Sequence, residues 1–381
     1  MTGRWALGGV ASAGVAFGGL GGFGLLIARR LTAPVSGRRY DLTIRGVDDS
    51  GERPVVVLDR MPRTAASGVY CLIAENGSRY LLSRKVEDRG PGLVGREILG
   101  VSDGLAVGQR AAWSGILFSS PTDAGLPATD ADVPTDVGDA PAWIIPSGGD
   151  PSPIWAIHIH GLGSMRAGTL RGVQVASDAG LTSLVVTYRN DSEGPVVGNR
   201  RLALGAAEVQ DVRAAVDFAR QRGARRVVLF GWSMGAAIAL QLAAEPKLKG
   251  IVGGLVLESP VLDWVSTIKA NCARAGLPAW TGTLALPWLN LRPLAYLTGL
   301  SNPVGLRRFD WIARADEITA PVLILHGTAD TSSPFAVTEH LRQLRPDVVT
   351  VEPFDADHTM TWNSEPERWR NAVATWLRGV S

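Results

Sequence analysis

The sequence contains little cysteine and almost no lysine. Its two cysteines, Cys71 and Cys272, are far apart among 381 residues, which excludes a disulfide scaffold and a cysteine-based zinc site. Only four lysines are present, so nearly all of the 38 basic residues are arginines. The chain also has 36 acidic residues, so its formal net charge is only +2. This charge argues against a nucleic-acid-binding protein, which needs a concentrated basic face.

Charged residues are scarce overall, at 19% of the chain against 46% hydrophobic residues. This composition is too apolar for a disordered protein. At ~150 residues per domain, the length allows two domains, or one large domain with an appendage.

The amino-terminal segment Trp5–Ala28 has no charged residue, and it lies between Arg4 and the pair Arg29-Arg30. A helix over its 24 residues would be about 36 Å long at ~1.5 Å per residue, enough for a hydrocarbon core of ~30 Å. We therefore predict a transmembrane anchor within residues 1–30. A cleaved signal peptide is the alternative, but it would need a shorter apolar core. Because more arginines follow the segment than precede it, the remainder of this single-pass membrane protein is predicted to be cytoplasmic.

Residues 40–108 alternate between apolar and polar side chains in short stretches separated by turn residues, which is typical of β-strands. The Asn76-Gly77 step favours a hairpin. We predict a small β-rich module and assign it no chemistry. It either covers a sheet edge or holds the following domain at the membrane, and the alternative is a face that docks a substrate or partner. Its predicted strands are Tyr40–Gly46, Val55–Leu58, Val69–Ala74 and Arg79–Ser83.

Residues 109–381 alternate between short Val- and Ile-rich runs and amphipathic helices, a pattern that indicates a mostly parallel central sheet with helices on both faces. The predicted strands are Ala111–Phe118, Ala142–Ile145, Trp155–Ile159, Ser183–Thr187, Val227–Phe230, Gly254–Leu257, Val322–Leu325 and Val349–Val351. The predicted helices are Thr169–Ala179, Gly205–Gln221, Met234–Ala244, Phe335–Leu344 and Pro366–Leu377. The long insertion at about 261–318 is predicted to form a helical cap after the sixth strand.

The sequence Gly231-Trp232-Ser233-Met234-Gly235 joins an apolar strand to an alanine-rich helix. The pattern G-x-S-x-G in this strand–turn–helix context predicts a nucleophile elbow with Ser233 at its tip. Gly231 and Gly235 would let the strand and the helix approach closely. The helix amino terminus would place a positive dipole end beside the hydroxyl.

The turn His160-Gly161-Leu162 follows another predicted strand directly. We predict that the backbone N–H groups of Leu162 and Met234 form an oxyanion hole, in which each donor is typically worth ~10²–10³ in turnover. His160 is expected to shape the turn. His158 and His160 have no third ligand nearby, so no metal site is predicted.

Two residues near the carboxyl terminus complete the predicted chemistry. Asp330 lies in the turn after an apolar strand, and His358 lies in the loop before the last helix. A serine hydroxyl is a poor nucleophile near neutral pH, so His358 would take the proton of Ser233 while Asp330 orients the imidazole. Asp355 and Asp357 are rival acids, but being adjacent in sequence does not direct them at the far ring nitrogen.

The predicted cap is rich in tryptophan, leucine and proline. We predict an apolar substrate pocket walled partly by Trp264 and Trp288, with their burial in the cap core as an equally weighted alternative. Trp232 is predicted either to line this pocket or to pack under the sheet.

These motifs resemble the α/β-hydrolase superfamily, in particular its serine-aminopeptidase-like bacterial members, from about residue 109 to 378. The resemblance rests on His160-Gly161, on the elbow Gly231–Gly235, on Asp330 within His326–Asp330, and on His358. It implies an α/β-hydrolase fold and a Ser–His–Asp hydrolase that needs no cofactor. The stretch Tyr188–Asp191 also resembles membrane-anchored bacterial members, which implies the bacterial cell membrane.

The leading hypothesis is a serine hydrolase that cleaves an ester or thioester of a small-molecule acyl substrate through an acyl-enzyme. An amidase or aminopeptidase with the same triad is one alternative, because superfamily membership does not decide between ester and amide. A catalytically silent binding protein is the other. The expected partners are the acyl substrate and the membrane, without nucleic acid, and the oligomeric state is left open.

Overall fold

The structure, a computed structural model, describes residues 19–148 and 152–380 and contains two β-sheets. The first is a seven-stranded antiparallel sheet with the strand order β1-β7-β4-β5-β6-β3-β2. Its inward-facing side chains, among them Leu58, Leu72, Leu82 and Val94, are fully buried and form a separate core. Its strands are Leu42–Thr43 (β1), Gly46–Asp48 (β2), Val55–Asp59 (β3), Tyr70–Ala74 (β4), Arg79–Asp88 (β5), Leu93–Ile98 (β6) and Arg110–Ser114 (β7), with the short helix Pro62–Ala65 (α2) between β3 and β4.

The second sheet has eight strands in the order β15-β14-β13-β12-β10-β11-β9-β8. The strands β10 to β15 are parallel, whereas β9 pairs antiparallel with both β11 and β8, so the sheet is mixed. The strands are Thr129–Thr135 (β8), Gly138–Ile145 (β9), Ile154–Ile159 (β10), Thr182–Val186 (β11), Arg226–Trp232 (β12), Val252–Glu258 (β13), Val322–Gly327 (β14) and Val349–Phe354 (β15).

Helices cover both faces of the second sheet, as the alternating pattern predicts. One face buries α3 and α11 in a core that includes Val175 and Trp369, and the other buries α4, α5 and α9 in a core that includes Val212 and Ile238. These helices are Leu170–Asp178 (α3), Val209–Gln221 (α4), Met234–Ala243 (α5), Phe335–Leu344 (α9) and Pro366–Val380 (α11), and the short helix Thr361–Ser364 (α10) precedes α11.

The insertion between β13 and β14 forms the predicted helical cap. Its first helix begins after Asp263, whose carboxylate accepts hydrogen bonds from the backbone N–H groups of Val265 and Ser266 and thereby caps the helix. The proline- and glycine-rich remainder breaks into short pieces. The cap helices are Trp264–Arg274 (α6), Leu286–Asn290 (α7) and Arg292–Thr298 (α8), linked by short 3₁₀ turns.

The amino-terminal helix, α1, is described over residues 19–31 and packs against the cap. Its side chains Ile27 and Ala28 are buried in the same core as α4 and α5. A Cβ built on Gly24 would lie only 2.1 Å from the carbonyl oxygen of Leu284, so glycine allows the helix to approach the cap backbone directly. Arg201 Nη1 also donates a hydrogen bond of 2.9 Å to the carbonyl of Arg29.

This arrangement corrects the sequence prediction of a transmembrane anchor within residues 1–30. Residues 1–18, which carry most of the segment Trp5–Ala28, lie outside the described residues. Among residues 19–148 and 152–380, no helix is both long enough and apolar enough to span a bilayer. The predicted transmembrane helix is therefore wrong, and so is the predicted single-pass location in a bacterial cell membrane with a cytoplasmic catalytic domain, which rested on it.

The first sheet extends further along the chain than the predicted boundary at residue 108. The segment Ala111–Phe118 is predicted to open the second sheet, but its first residues belong to β7 of the first sheet. There Trp113 pairs with Leu72 of the neighbouring strand β4. Three observed strands, β2, β6 and β8, were not predicted, since the predicted strand Tyr40–Gly46 covers β1 and only the first residue of β2. Buried Arg96 and Gly95 interrupt the apolar pattern of β6, and β8 is a polar edge strand.

Candidate active site

Ser233 lies at the sharp turn between β12 and α5 with a left-handed φ of 53°, which a side-chain-bearing residue rarely adopts. The flanking glycines make this turn possible. A Cβ on Gly231 would lie 2.6 Å from the backbone N of Ala236, and a Cβ on Gly235 would lie 2.1 Å from the carbonyl oxygen of Ile159. The turn thus holds the Ser233 side chain beyond the carboxyl end of the strand, as the G-x-S-x-G pattern predicts.

His358 lies in the loop between β15 and α10. Its Nε2 is 2.9 Å from Ser233 Oγ, and its Nδ1 is 2.8 Å from Asp330 Oδ2. These partners assign the tautomer: Nδ1–H donates to the carboxylate, and Nε2 accepts from the serine hydroxyl. The structure therefore brings the three predicted side chains into one continuous hydrogen-bonded chain.

The Asp330 side chain is fully buried in the turn after β14 and accepts hydrogen bonds through both oxygens. Its Oδ1 accepts from the backbone N–H groups of Ser332 and Ser333 at 2.8 and 2.7 Å. Burial alone would raise the pKa of Asp330, but the hydrogen bonds and charges of His326 and His358 outweigh it and hold the pKa well below its usual range.

His326 is a further member of this group that the sequence analysis did not assign. It lies at the end of β14, and its Nε2 is 3.1 Å from Asp330 Oδ2 and 3.0 Å from the carbonyl oxygen of Ser333. Its Nδ1 is 2.8 Å from Thr338 Oγ1. The signal for it in the sequence is a histidine four residues before the acid, but a position within an apolar strand does not by itself indicate a role beside Asp330.

The two rival acids are exposed and do not occupy the position of Asp330. Asp357 Oδ1 accepts hydrogen bonds from both the backbone N–H and the hydroxyl of Thr331, each at 2.9 Å. Asp355 lies at the end of β15 on the surface. Asp330 is thus the carboxylate that the fold aims at Nδ1 of His358.

The His160-Gly161-Leu162 turn lies directly against the elbow. A Cβ on Gly161 would lie 3.1 Å from the carbonyl oxygen of Trp232 and 3.2 Å from Ser233 Cβ, so this position has little room for a side chain. Leu162 lines the cavity beside Ser233. The other predicted donor, Met234, is the first residue of α5 and has a fully buried side chain.

His160 is buried and anchors this turn from behind. Its Nε2 is 2.9 Å from Asp191 Oδ2, and Tyr188 OH donates to the carbonyl oxygens of His160 and Gly161 at 3.2 and 3.1 Å. Burial alone would raise the pKa of Asp191. The hydrogen bonds from His160 and from backbone N–H groups outweigh this effect, so the pKa of Asp191 lies below its usual value. Burial and the charge of Asp191 raise the pKa of Tyr188 well above its usual value, so Tyr188 remains a donor.

Tyr188 and Asp191 had been singled out only through a resemblance. The signal for them in the sequence is a cluster of polar residues just after an apolar strand. Such a position places these residues at the same edge of the sheet as the other site residues.

A cavity of about 210 Å³ opens beside Ser233 and His358. Trp232 lines it, and the Trp232 indole N–H donates to Glu258 Oε2 at 2.9 Å. A larger cavity of about 590 Å³ lies between the loop after β11 and α8, at a separate place on the surface.

The predicted pocket walls Trp264 and Trp288 lie outside the cavity beside Ser233. Trp264 is buried and donates to the carbonyl oxygen of Leu204 at 3.1 Å, and Trp288 lies against Gly24 of α1. Trp264 is part of the hydrophobic core, and Trp288 is partly buried and packs against it, so neither lines this cavity.

Comparison with known proteins gives two family matches. Residues 156–372, more than half of the chain, match a model of the alpha/beta hydrolase family. Residues 43–114, which span the first sheet, match a domain of unknown function, DUF8805. No curated protein is similar enough to count as a match.

Solved structures are similar to the second part of the chain. An esterase from Pyrococcus furiosus, Pf2001, is 20% identical, with 68% of this chain and 96% of that chain covered and a TM-score of 0.54. An esterase from Rhodococcus sp. ECU1013 is 19% identical, with 67% and 99% covered and a TM-score of 0.46. At the identity of the Pyrococcus protein, the likeness establishes a shared fold.

Proposed function

Because this chain belongs to the alpha/beta hydrolase family and is a hydrolase, we propose that it cleaves a carboxylic ester or thioester through an acyl-enzyme on Ser233. The observation that carries the proposal is the unbroken chain from Asp330 through His358 to Ser233, at 2.8 and 2.9 Å, at the edge of a cavity. Nucleophile, base and orienting acid are within hydrogen-bond reach without rearrangement.

In the first half-reaction, Ser233 Oγ attacks the substrate carbonyl carbon while His358 Nε2 takes the hydroxyl proton. The ionised Asp330 stabilises the imidazolium that forms and keeps its Nδ1–H aimed at the carboxylate. His358 then gives the proton to the departing alkoxide or thiolate. The acyl group of the substrate remains bonded to Ser233 Oγ as an ester.

The negative charge that develops on the carbonyl oxygen needs donors beside Ser233. We assign this role to the backbone N–H groups of Leu162 and Met234. The turn that carries Leu162 packs on the elbow, and Met234 begins α5, whose amino terminus adds a positive dipole end. In the second half-reaction, His358 takes a proton from a water molecule, which attacks the acyl ester. His358 then gives this proton to Ser233 Oγ as the ester bond breaks, and the carboxylic acid leaves.

Labelling with a fluorophosphonate probe tests the nucleophile. The wild-type protein is expected to be labelled, Ser233→Ala to resist labelling, and Ser192→Ala, which changes an exposed serine, to be labelled like the wild type. A folded wild-type protein that stays unlabelled would contradict the proposal and favour a catalytically silent binding protein.

A substrate panel tests the reaction class. Matched p-nitrophenyl esters, thioesters and anilides of the same acyl group should give turnover with the first two, all of it lost in Ser233→Ala. Turnover of the anilides and of aminoacyl amides at rates equal to the esters would favour the amidase or aminopeptidase alternative.

A further inference from the structure

We propose that the first β-sheet completes the active site, and that the segment leaving it, residues 115–117, forms the wall of a subsite for a short apolar acyl group. This inference rests on the proposed acyl-enzyme function. It assigns a role to the part of the chain that matches a domain of unknown function.

The wall follows β7 directly. Gly115 and Ile116 line the cavity of about 210 Å³ together with Leu162 of the oxyanion turn and the two reacting side chains, Ser233 and His358. An acyl carbon held between Ser233 Oγ and the oxyanion turn has its substituent pointing into this cavity. Ile116 therefore limits how far that substituent can extend.

The first sheet fixes the wall segment through hydrogen bonds from Arg79 and with Ser114. Arg79 of β5 donates through Nη2 to the carbonyl oxygens of Ile116 and Leu117 at 3.2 and 3.0 Å. The backbone N–H of Ile116 donates to the hydroxyl of Ser114, at the end of β7, at 3.0 Å. The position of Ile116 is thus set by the sheet and not by the hydrolase fold alone.

A second set of contacts joins the wall to the segment that carries His358. Asn363 donates through Nδ2 to the carbonyl oxygens of Gly115 and Val69 at 3.0 and 2.8 Å, and so holds the chain just after β7 and just before β4. A Cβ on Gly115 would lie 2.5 Å from Met360 Sδ, and Met360 also lines the cavity. The wall, Met360 and His358 therefore form one connected boundary.

The opposite wall is the turn before α3. Ile116 Cδ1 lies 3.3 Å from the position of a Cβ on Gly168, and Gly168 lines the cavity too. A Cβ at 168 would also lie 2.8 Å from Ser164 Oγ, so glycine at this position lets the turn pack closely against Ile116. The two residues thus lie side by side in the lining of the cavity.

The size and lining of the cavity indicate the substrate class. Its volume of about 210 Å³ is below the ~300–1,000 Å³ typical of pockets for drug-sized ligands. Ile116, Leu162, Trp232 and Met360 supply its apolar lining, beside the small polar side chains of Ser164, Thr169 and Thr359.

Arg171, the charged residue of the lining, is already engaged. It is buried, donates to the side-chain oxygen of Asn363 at 2.5 Å and to the carbonyl oxygen of Thr359 at 2.9 Å, and lies 3.7 Å from Glu258 Oε1. Its charge is thus balanced within the protein, and the cavity suits an uncharged, short acyl group.

The experiment compares p-nitrophenyl acetate, butyrate, hexanoate and octanoate with the full-length protein. In the wild type, kcat/KM should fall steeply beyond the short esters. Ile116→Ala should raise the octanoate-to-acetate ratio of kcat/KM at least about tenfold, since one methylene group in an apolar pocket is worth about 10–200-fold. Ile116→Phe should lower the same ratio.

Arg79 is a positioning residue in this scheme. Arg79→Ala should raise the octanoate-to-acetate ratio as well, although it touches no substrate, because the wall loses its anchor. Arg84→Ala is the matched control: Arg84 is exposed on the same strand and should leave the ratio unchanged. A merely structural role for Arg79 would lower all four rates in proportion.

The inference is overturned if Ile116→Ala and Ile116→Phe change kcat/KM for all four esters by the same factor. It is also overturned if the two variants alter the dependence of kcat/KM on the alcohol part of the ester at constant acyl group, and not its dependence on acyl chain length. Fluorophosphonate labelling of each variant separates the two proposals. A labelled protein with an unmoved chain-length profile contradicts the subsite only, whereas an unlabelled, folded wild type contradicts the hydrolase mechanism itself.

Discussion

His326 and His358 share one oxygen of the same carboxylate. Asp330 Oδ2 lies 3.1 Å from Nε2 of His326 and 2.8 Å from Nδ1 of His358. Because His326 Nε2 also faces the carbonyl oxygen of Ser333, it carries the proton and acts as a donor. Asp330 is therefore held in place by a second imidazole in addition to that of His358.

Asp330→Asn is expected to lower kcat strongly, by about 10⁴-fold as for the equivalent change in a serine protease triad, with a small effect on KM. The amide cannot stabilise the imidazolium, and it favours the wrong tautomer of His358. Steady-state kinetics on an ester checks this. A loss below tenfold would show that another carboxylate takes over the role of Asp330.

The same variant tests how stability depends on pH. The folded state lowers the pKa of Asp330 below the unfolded value of about 3.9, so the ionised carboxylate stabilises the fold above that pH, and this contribution is lost as the pH falls. The difference in unfolding free energy between wild type and Asp330→Asn should thus be largest near pH 6 and shrink towards pH 2. Urea unfolding at several pH values measures it, and a constant difference would contradict the lowered pKa.

His326→Ala is expected to lower kcat about ten- to a hundredfold while KM stays nearly constant. A hydrogen bond to a charged group contributes about 1.5–3 kcal/mol, and without it Asp330 can rotate away from His358. Thr338→Val removes only the hydroxyl that contacts His326 Nδ1 and should have a smaller effect. Equal losses in the two variants would mean that packing, not the bond to Asp330, is responsible.

Tyr188→Phe is expected to lower kcat by about tenfold and leave KM largely unchanged. The hydroxyl bonds two carbonyl oxygens of the oxyanion turn, and losing it loosens a donor whose full removal typically costs ~10²–10³ in turnover. Tyr80→Phe is the control, because the Tyr80 hydroxyl donates to the carbonyl oxygen of Asp103, in the loop between β6 and β7 of the first sheet. Comparable losses of kcat in both variants would refute a specific role for Tyr188.

Gly235→Ala is expected to lower the free energy of unfolding by at least about 3 kcal/mol, since its Cβ would collide with backbone at 2.1 Å. Gly379→Ala provides the contrast. That glycine lies in α11 with nothing within 4 Å of the added Cβ, and alanine there should stabilise the helix by about 0.5–1 kcal/mol. Urea midpoints measure both, and equal midpoints would contradict the close packing of the elbow.

The sequence predicted those features that depend on local signals. Ser233, Asp330 and His358 each follow or precede an apolar strand or helix in a turn, and parallel strands bring their carboxyl ends to one edge, so position along the chain was enough to place them together. The close approach of Gly235 to the neighbouring strand β10 follows from the same G-x-S-x-G pattern.

Features that depend on long-range contacts could not be read in this way. The residues after Ala111 look like a strand in either sheet, and the choice is made by pairing with β4, some forty residues earlier. Trp264 has the same apolar character in a pocket as in a core, and the direction of α6 decides. The glycines of α1 suit a lipid environment and close contact with the cap equally well by composition.

The contact between α1 and the cap has a practical consequence. With Gly24 against Leu284 and Trp288, the helix shields part of the cap from water, and Arg29 supplies a carbonyl acceptor to Arg201. Recombinant versions trimmed to begin near Leu31 would uncover this apolar strip and leave one guanidinium short of an acceptor. Such fragments would be prone to self-association, and any kinetic anomaly they display would originate in the trimming rather than in the catalytic residues.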